Sequence, residues 1–283
     1  MTVPARTATL SLRRLRLSLT EWLARRTARL LPRGAAYDAL VLEVRLLSSL
    51  ASGVSRLTRG RAISSLYTAQ LLRDMLGEAT VSGGVGVRIE VRNAEALDRL
   101  LEANGGRFVL YTGHFYLSMA IPEVLARRGL NPVMIAGYGG DMQRLNWFAR
   151  PQPPALIAND AACLLHARRA LAAGRPVLLC PDTALPVPGS PRRYEVVVNP
   201  NTFLFAERAG AAAIFAATSL GPDGAIEVEF ALPGDDACDT AALCEAYREF
   251  LAQRLGRPCR ILDRHDPLAE GTVGLTPPRA QAV

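Results

Sequence analysis

Lysine is absent from this sequence, so all 33 basic residues of the 283-residue chain are arginine. Histidine and aromatic residues are also scarce, at three histidines and 6% Phe, Trp and Tyr. With abundant alanine, glycine and proline, the missing lysine is typical of GC-rich codon usage, so it concerns the source of the gene and not its chemistry. The hydrophobic share of 49% still suffices for the core of one large domain.

The pattern of cysteines lacks the spacings that mark metal sites and disulfide frameworks. No Cys-x-x-Cys pair occurs, the number of cysteines is odd, and only three histidines are available to join them in a metal site. We therefore expect no metal, no cofactor and no disulfides, but free and mostly buried thiols in a reducing cytoplasm. The cysteines are Cys163, Cys180, Cys238, Cys244 and Cys259.

Two motifs that would identify a function class are also missing. No Gly-x-Ser-x-Gly sequence occurs, which disfavours a lipase of the α/β-hydrolase type. The glycines of residues 82–86 do not follow a strand and open a helix, so this segment predicts a turn and not a dinucleotide-binding loop.

Positive charge is concentrated near the beginning of the chain. Residues 1–61 contain 12 arginines and three acidic residues, a net charge of +9, whereas the remainder contains 21 arginines and 23 acidic residues, a net charge of −2. Such a basic arm favours anionic lipid headgroups, an acidic carrier protein or nucleic acid as a partner.

Within this arm, residues 9–31 have the spacing of an amphipathic helix, with leucines and Trp22 on one face and arginines mostly around the other. A membrane span is excluded, because each of the seven arginines from Arg13 to Arg33 would cost about 2.5–3.5 kcal/mol in hydrocarbon. No signal-peptide cleavage site follows. We expect peripheral docking at the inner face of the cytoplasmic membrane or on an acidic carrier protein. The alternative is that the leucines pack on the protein itself, while no recognition motif supports nucleic acid.

The remaining chain alternates between strand and helix patterns, which predicts an α/β fold. Helical segments occupy 35–77 with a break near Gly60, and strands and helices then alternate from Val87 onward, with an edge strand at 226–230 and a last helix at 237–255. The prediction is a mostly parallel central sheet covered by helices, with an N-terminal amphipathic helical extension. We assign 1–77 to the helical region, 78–267 to the α/β domain and 268–283 to a disordered tail.

The stretch Arg107–Gly129 carries the first candidate functional residue. An apolar strand ends at Thr112, Gly113 makes a tight turn, and an amphipathic helix with His114 in its first turn follows. Ligands bind to open α/β sheets at the carboxyl ends of the strands, and a helix N-terminus disfavours a proton on imidazole. His114 is therefore predicted to be a neutral base.

The stretch Gly174–Thr183 has the same form. A buried strand at 177–180 is predicted to run into a loop with Asp182 at the carboxyl edge of the sheet, and 186–193 is predicted to be a loop. Asp182 is interpreted either as a site residue or as a carboxylate that closes a turn after Pro181. His166 and His265 are interpreted as structural and solvated residues, and Cys180 as a core residue.

These stretches together resemble the lysophospholipid acyltransferase superfamily, and most closely its lipid A late-acyltransferase (lauroyl/myristoyl transferase) branch. The family signature is a His, four residues and then Glu or Asp, set as Gly-His-Phe-Gly-Asn-Trp-Glu. Gly113-His114-Phe115 matches it, whereas Met119 stands where the family has its acid. Asp182 occupies the acidic position of the family's Pro-Asp or Pro-Glu block, and the resemblance covers residues 87–232.

The resemblance implies transfer of a fatty acyl group from an acyl carrier protein or coenzyme A thioester to a hydroxyl or amine. His114 would be the general base, Asp182 would supply what Met119 lacks, and backbone amides of the turn and the helix start would stabilise the oxyanion. Because Met119 departs from the signature, a non-catalytic acyl-chain-binding protein and a divergent transferase with other acceptor chemistry remain open. The residues expected to contact substrate are Gly113, Phe115, Tyr116, Arg150 and Thr183.

Overall fold

A computed structural model of the chain describes residues 5–59, 65–136, 145–148, 154–160, 162–187, 190–234 and 239–262. Arg150, His265 and the predicted tail at 268–283 lie outside the described residues. The helices are α1 (Ala5–Leu30), α2 (Arg33–Arg59), α3 (Ser65–Thr80), α4 (Ala94–Asn104), α5 (Ala120–Arg127), α6 (Cys163–Ala172), α7 (Phe203–Ala209) and α8 (Thr240–Leu255). The strands are β1 (Ile89–Arg92), β2 (Phe108–Thr112), β3 (Val133–Ala136), β4 (Ala155–Ala158), β5 (Val177–Leu179), β6 (Asp182–Val187), β7 (Ser190–Val198), β8 (Ala212–Leu220), β9 (Ile226–Ala231) and β10 (Cys259–Ile261).

The chain divides into two compact units. One contains the described residues of 1–89, 141–153 and 219–226, and the other those of 90–140, 154–218 and 227–283. In the first unit α1, α2 and α3 pack on one another, and α2 and α3 are separated around position 60, as predicted. The salt bridge of Arg25 with Glu78 (3.1 Å) joins α1 to α3, and a second one of Arg25 with Glu21 (2.5 Å) lies within α1.

The described side chains of α1 divide into a buried set and an exposed set. Among its described side chains, from position 18 onward, the buried residues are small: Thr20, Ala24, Thr27 and Ala28. Leu19, Trp22 and Leu30 are 44%, 53% and 68% exposed. Small residues let helices approach closely, so this helix packs through alanine and threonine while its largest apolar side chains face solvent.

The second unit is built on a mostly parallel sheet of seven strands, which confirms the predicted α/β class. The strand order is β1-β9-β8-β2-β5-β3-β4, with parallel pairing of β2 to both β5 and β8 and of β3 to both β5 and β4. All five residues of β2 are buried, as expected for a central parallel strand covered on both faces. The prediction of an edge strand at 226–230 is wrong, because β9 lies between β1 and β8.

A second sheet of three strands was not predicted. It has the order β10-β7-β6, with β6 and β7 forming an antiparallel hairpin and β10 pairing parallel to β7. Of the proline-rich segment 186–193, predicted to be a loop, the described residues 186–187 and 190–193 belong to the two strands of this hairpin, and the register shifts between Pro186 and Val187. Proline cannot donate a hydrogen bond to a neighbouring strand, and the register shift at Pro186 accommodates it within β6. The prolines were therefore compatible with a strand, although they favoured a loop in the sequence.

Two helix starts also differ from the prediction. Asparagine is a common helix N-cap residue, but the backbone of Asn93 before α4 is left-handed (φ 53°) and its side-chain amide donates to the carbonyl of Phe230 at 2.7 Å. Helix α5 begins at Ala120, and a turn with hydrogen bonds from Phe115 N to Gly113 O (2.7 Å) and from Ser118 N to Phe115 O (3.2 Å) precedes it. His114 is therefore outside the first helical turn.

Among the described helices, none has the length and hydropathy that a bilayer span requires.

Candidate functional site

The site begins at the carboxyl end of the central strand β2, where Gly113 leads the chain to His114. A Cβ atom on residue 113 would lie 2.8 Å from Cδ1 of Leu251 and 2.8 Å from Cε2 of Phe115. Only glycine avoids these contacts without a shift of its neighbours. Gly113 is therefore required by packing, and this tight passage fixes where the His114 backbone leaves the sheet.

Asp182 reaches the same place from the neighbouring strand. Strands β2 and β5 are parallel and in register, with Tyr111 opposite Leu179, so their carboxyl ends are level. Asp182 follows β5 by three residues and is the first residue of β6, where it pairs with Val198. Because β6 is held in the hairpin, a strand and not a loop positions this carboxylate.

The carboxylate of Asp182 binds His114 twice through one oxygen. Oδ2 lies 3.2 Å from Nδ1 of the imidazole and accepts the backbone N–H of His114 at 3.1 Å. The Asp182 side chain is 7% exposed, whereas the His114 side chain is 50% exposed. The buried carboxylate of Asp182 thus holds in place a histidine whose side chain is half-exposed.

This contact sets the protonation properties of His114. Burial lowers the pKa of the imidazole, but the hydrogen bond and the negative charge of Asp182 raise it, and the net result is a pKa above the ordinary value. The helix N-terminus that was expected to disfavour this proton does not adjoin His114, because α5 begins at Ala120, and the Asp182 carboxylate acts on the pKa in the opposite direction. With Nδ1 assigned as the donor to Asp182, the neutral ring carries its lone pair on Nε2, which is the atom that can accept a proton.

Tyr247 is a residue that sequence reasoning missed. Its hydroxyl donates to Oδ1 of Asp182 at 3.5 Å, and its ring is fully buried in α8. The ring packs within an aromatic cluster, with centroid distances of 5.3 to 6.3 Å to Phe215, Phe203, Tyr111 and Phe250. Burial and the charge of Asp182 raise the pKa of Tyr247, so its hydroxyl stays a donor. Its only sequence signal was helical spacing, which is typical of any core tyrosine.

The backbone amides that were expected to stabilise an oxyanion already donate hydrogen bonds within the protein. The amide of His114 donates to Asp182, that of Phe115 to Gly113, and that of Ser118 to Phe115. These three N–H groups are committed within the protein, because the turn before α5 satisfies them locally. The prediction that turn amides would stabilise an oxyanion does not hold for them.

Neither the residue at the family's acid position nor the next acid along the helix supplies the carboxylate that pairs with His114. Met119 is half-buried and immediately precedes α5. Glu123, one turn further, pairs with Arg127 at 2.9 Å. An acid that contacts the imidazole thus comes from β6 and not from the helix that follows the histidine.

The other residues expected at the site lie in different environments. Phe115 is buried in the core, and Tyr116 is half-buried in the turn that follows His114. Thr183 follows Asp182 in β6 and pairs with Val197, so strand alternation directs its side chain to the opposite face of the sheet. Arg150 lies outside the described residues.

Cys180 lies between β5 and β6 and is exposed, contrary to the expectation of a core thiol. Cys244 and Cys259 are buried as expected, and Cys163 is half-buried. Among the residues that the structure describes, no group of three or more His, Cys, Asp or Glu side chains has the arrangement of a metal site.

Fold and site together define a mixed α/β protein with a hydrogen-bonded histidine–aspartate pair at the carboxyl edge of its parallel sheet. Comparison of the chain with protein-family models gives no match, and comparison with curated proteins gives no significant match.

Proposed function

We propose that this protein is an acyltransferase that moves a fatty acyl group from an acyl carrier protein or coenzyme A thioester to a hydroxyl or amine. The observation that carries the proposal is the pairing of the solvent-open His114 with the buried Asp182 through Nδ1. A carboxylate that orients imidazole and stabilises imidazolium is what a histidine needs to act as a general base. The resemblance of residues 113–115 and 181–182 to the acyltransferase family supports the reaction class.

The proposed chemistry uses the Nε2 atom of His114. Nε2 accepts the proton of the acceptor hydroxyl or amine while the acceptor oxygen or nitrogen bonds to the thioester carbonyl carbon. The tetrahedral intermediate then expels the thiolate, which takes the proton back from Nε2 as the carbon–sulfur bond breaks. Products are an ester or amide and a free thiol. Asp182 remains ionised and stabilises the imidazolium between the two steps.

The pKa of His114 gives this reaction a defined pH dependence. Only the neutral imidazole is a base, and Asp182 raises the pKa, so the rate should increase with pH through a value above the ordinary histidine pKa of about 6.5.

The decisive experiment is an assay of acyl thioesters of graded chain length, on coenzyme A and on acyl carrier protein, with detection of free thiol. His114→Ala should reduce thiol release by about 10²–10⁴-fold. Asp182→Asn should also reduce it and move the rise in rate to lower pH. Glu123→Gln is the matched control, because its carboxylate pairs with Arg127 and not with His114.

Either of two results would contradict this proposal. Wild-type rates in His114→Ala would exclude the histidine base. Binding of acyl chains without thiol release, seen as lipids that co-purify in mass spectrometry, would favour the non-catalytic alternative left open by Met119.

The proposal includes a cytoplasmic location and a peripheral association of the basic N-terminal region with a membrane or an acidic carrier. Exposed apolar side chains on the two N-terminal helices also support this association.

A further inference from the structure

The outer face of α2 is unusually apolar. Leu42, Leu46, Leu50, Val54 and Leu57 are 56–89% exposed. Their spacing of three or four residues places them along one side of the helix. The opposite side carries the buried residues Ala36, Tyr37, Leu40, Val41 and Val44. Helix α2 therefore has two apolar faces, of which only one is used to build the core of the helical unit.

Exposed apolar side chains of α1 extend this surface. The two helices are joined by a hydrogen bond of 3.0 Å from the hydroxyl of Thr27 to Oε1 of Glu43. Leu30 follows Thr27 by three residues on α1, and Leu46 follows Glu43 by three residues on α2. Both leucines are exposed. Exposed apolar side chains thus lie on both of the helices that this hydrogen bond joins. We name the set Leu19, Trp22, Leu30, Leu42, Leu46, Leu50, Val54 and Leu57 the leucine face.

Arginines adjoin the leucine face on α1. A depression of about 560 Å³ there is lined by Trp22, Leu30 and three arginines, Arg25, Arg26 and Arg29, with Ser18 and Glu21. The guanidinium of Arg26 lies 5.1 Å from the centroid of the Trp22 ring. Glu21 is already paired with Arg25, so the charge offered to a partner is positive.

We propose that the leucine face docks on the surface of an anionic lipid bilayer. Leucine and valine side chains would enter the boundary between headgroups and acyl chains, Trp22 would lie at headgroup level, and Arg26 and Arg29 would bind lipid phosphates. The charge favours this occupant, since a second copy of the chain that docked through the same face would bring Arg25, Arg26 and Arg29 against their own counterparts. The surface includes α2 and is therefore larger than the basic arm at 9–31, and its use does not depend on acyl transfer.

The test is co-sedimentation of the full chain with vesicles of equal parts phosphatidylglycerol and phosphatidylcholine, and with vesicles of phosphatidylcholine alone. The wild type should bind the anionic vesicles, with affinity that falls as salt is added, and should bind the neutral ones at least about tenfold more weakly. The double variant Leu46→Ser/Leu50→Ser should lose at least about tenfold in affinity for anionic vesicles. Arg26→Glu/Arg29→Glu should do the same and should weaken the salt dependence, because it lowers the net charge of residues 1–61 by four.

Matched control variants are available on α6 and α4. Leu164→Ser/Leu165→Ser removes two leucines of similar exposure, 50% and 53%, far in sequence from the leucine face, and should bind like the wild type. Arg99→Glu reverses an exposed charge on α4 in the same way. All substituted side chains are exposed, so circular dichroism should show unchanged folding.

Equal binding of the leucine-face variants and the wild type would overturn the proposal. It would also be overturned if size-exclusion chromatography showed a dimer that Leu46→Ser/Leu50→Ser converts to a monomer, because the face would then bind a second copy.

Discussion

Tyr247 is the residue whose contribution to the site is least visible in the sequence. Its hydroxyl contacts the Asp182 oxygen that His114 does not use, while its ring is held by the aromatic cluster. A buried carboxylate needs a partner for each oxygen, so we infer that Tyr247 positions Asp182. It touches no reacting atom, and its effect on catalysis must pass through the carboxylate and the imidazole.

Removal of this hydroxyl should therefore change the pH profile as well as the rate. Tyr247→Phe keeps the ring, but leaves more negative charge on Asp182, which raises the pKa of His114 further. We expect the thiol-release rate to fall several-fold and its rise to move to higher pH, with KM nearly unchanged. Tyr111→Phe is the control, because that hydroxyl donates to the carbonyl of Thr202 at 3.3 Å within the same cluster. Identical pH profiles for the two variants would assign Tyr247 to packing alone.

At the scale of elements, the contact between α1 and α2 depends on a buried polar pair. Burial raises the pKa of Glu43, and the hydrogen bond from Thr27 lowers it in part. Oε2 of Glu43 has no hydrogen-bond partner among the described residues. The Thr27 hydroxyl and, more weakly, the positive charge of Arg26 thus favour the ionised form of this carboxyl at the helix contact.

Thr27→Val, which keeps the shape and removes the hydroxyl, should lower the free energy of unfolding by about 1–3 kcal/mol at neutral pH. The loss should shrink in acid, since a protonated Glu43 needs the hydrogen bond less. Urea unfolding at several pH values measures both effects, and Thr27→Ser, which keeps the hydroxyl, should cost less. A loss that is equal for Val and Ser would attribute the effect to packing.

At the scale of the whole molecule, three distant parts of the chain meet at positions 114, 182 and 247. The His114–Asp182 contact therefore contributes to folding as well as to the proposed chemistry. A histidine whose pKa is raised on folding stabilises the folded state fully below its unfolded pKa of about 6.5, and this stabilisation disappears as pH rises through the folded pKa.

The difference in unfolding free energy between the wild type and Asp182→Asn should accordingly be largest at pH about 5.5 and smaller at pH about 9. His114→Gln should lose the same pH-dependent part, because either substitution removes the pair. Urea unfolding across this range is the measurement. A difference that does not change with pH would show that the pair adds no protonation-linked stability.

The local pattern of the sequence predicted most elements of the fold. Hydrophobic periodicity and glycine turns predicted β2, β5, the α2–α3 break and the turn before His114, because these depend on neighbours within a few residues. They also led to the prediction of the α/β class and of candidate side chains at the carboxyl ends of β2 and β5.

Contacts between distant residues decided the rest. Asn93 bonds to Phe230 and does not cap α4, the proline-containing segment after Asp182 pairs with β7 as a hairpin, and Tyr247 reaches Asp182 across 65 positions. The same applies to the described part of α1, where tertiary packing buried threonine and alanine and left Leu19 and Leu30 exposed. Local propensity cannot encode such choices, since their free energy comes from partners that only the folded chain brings together.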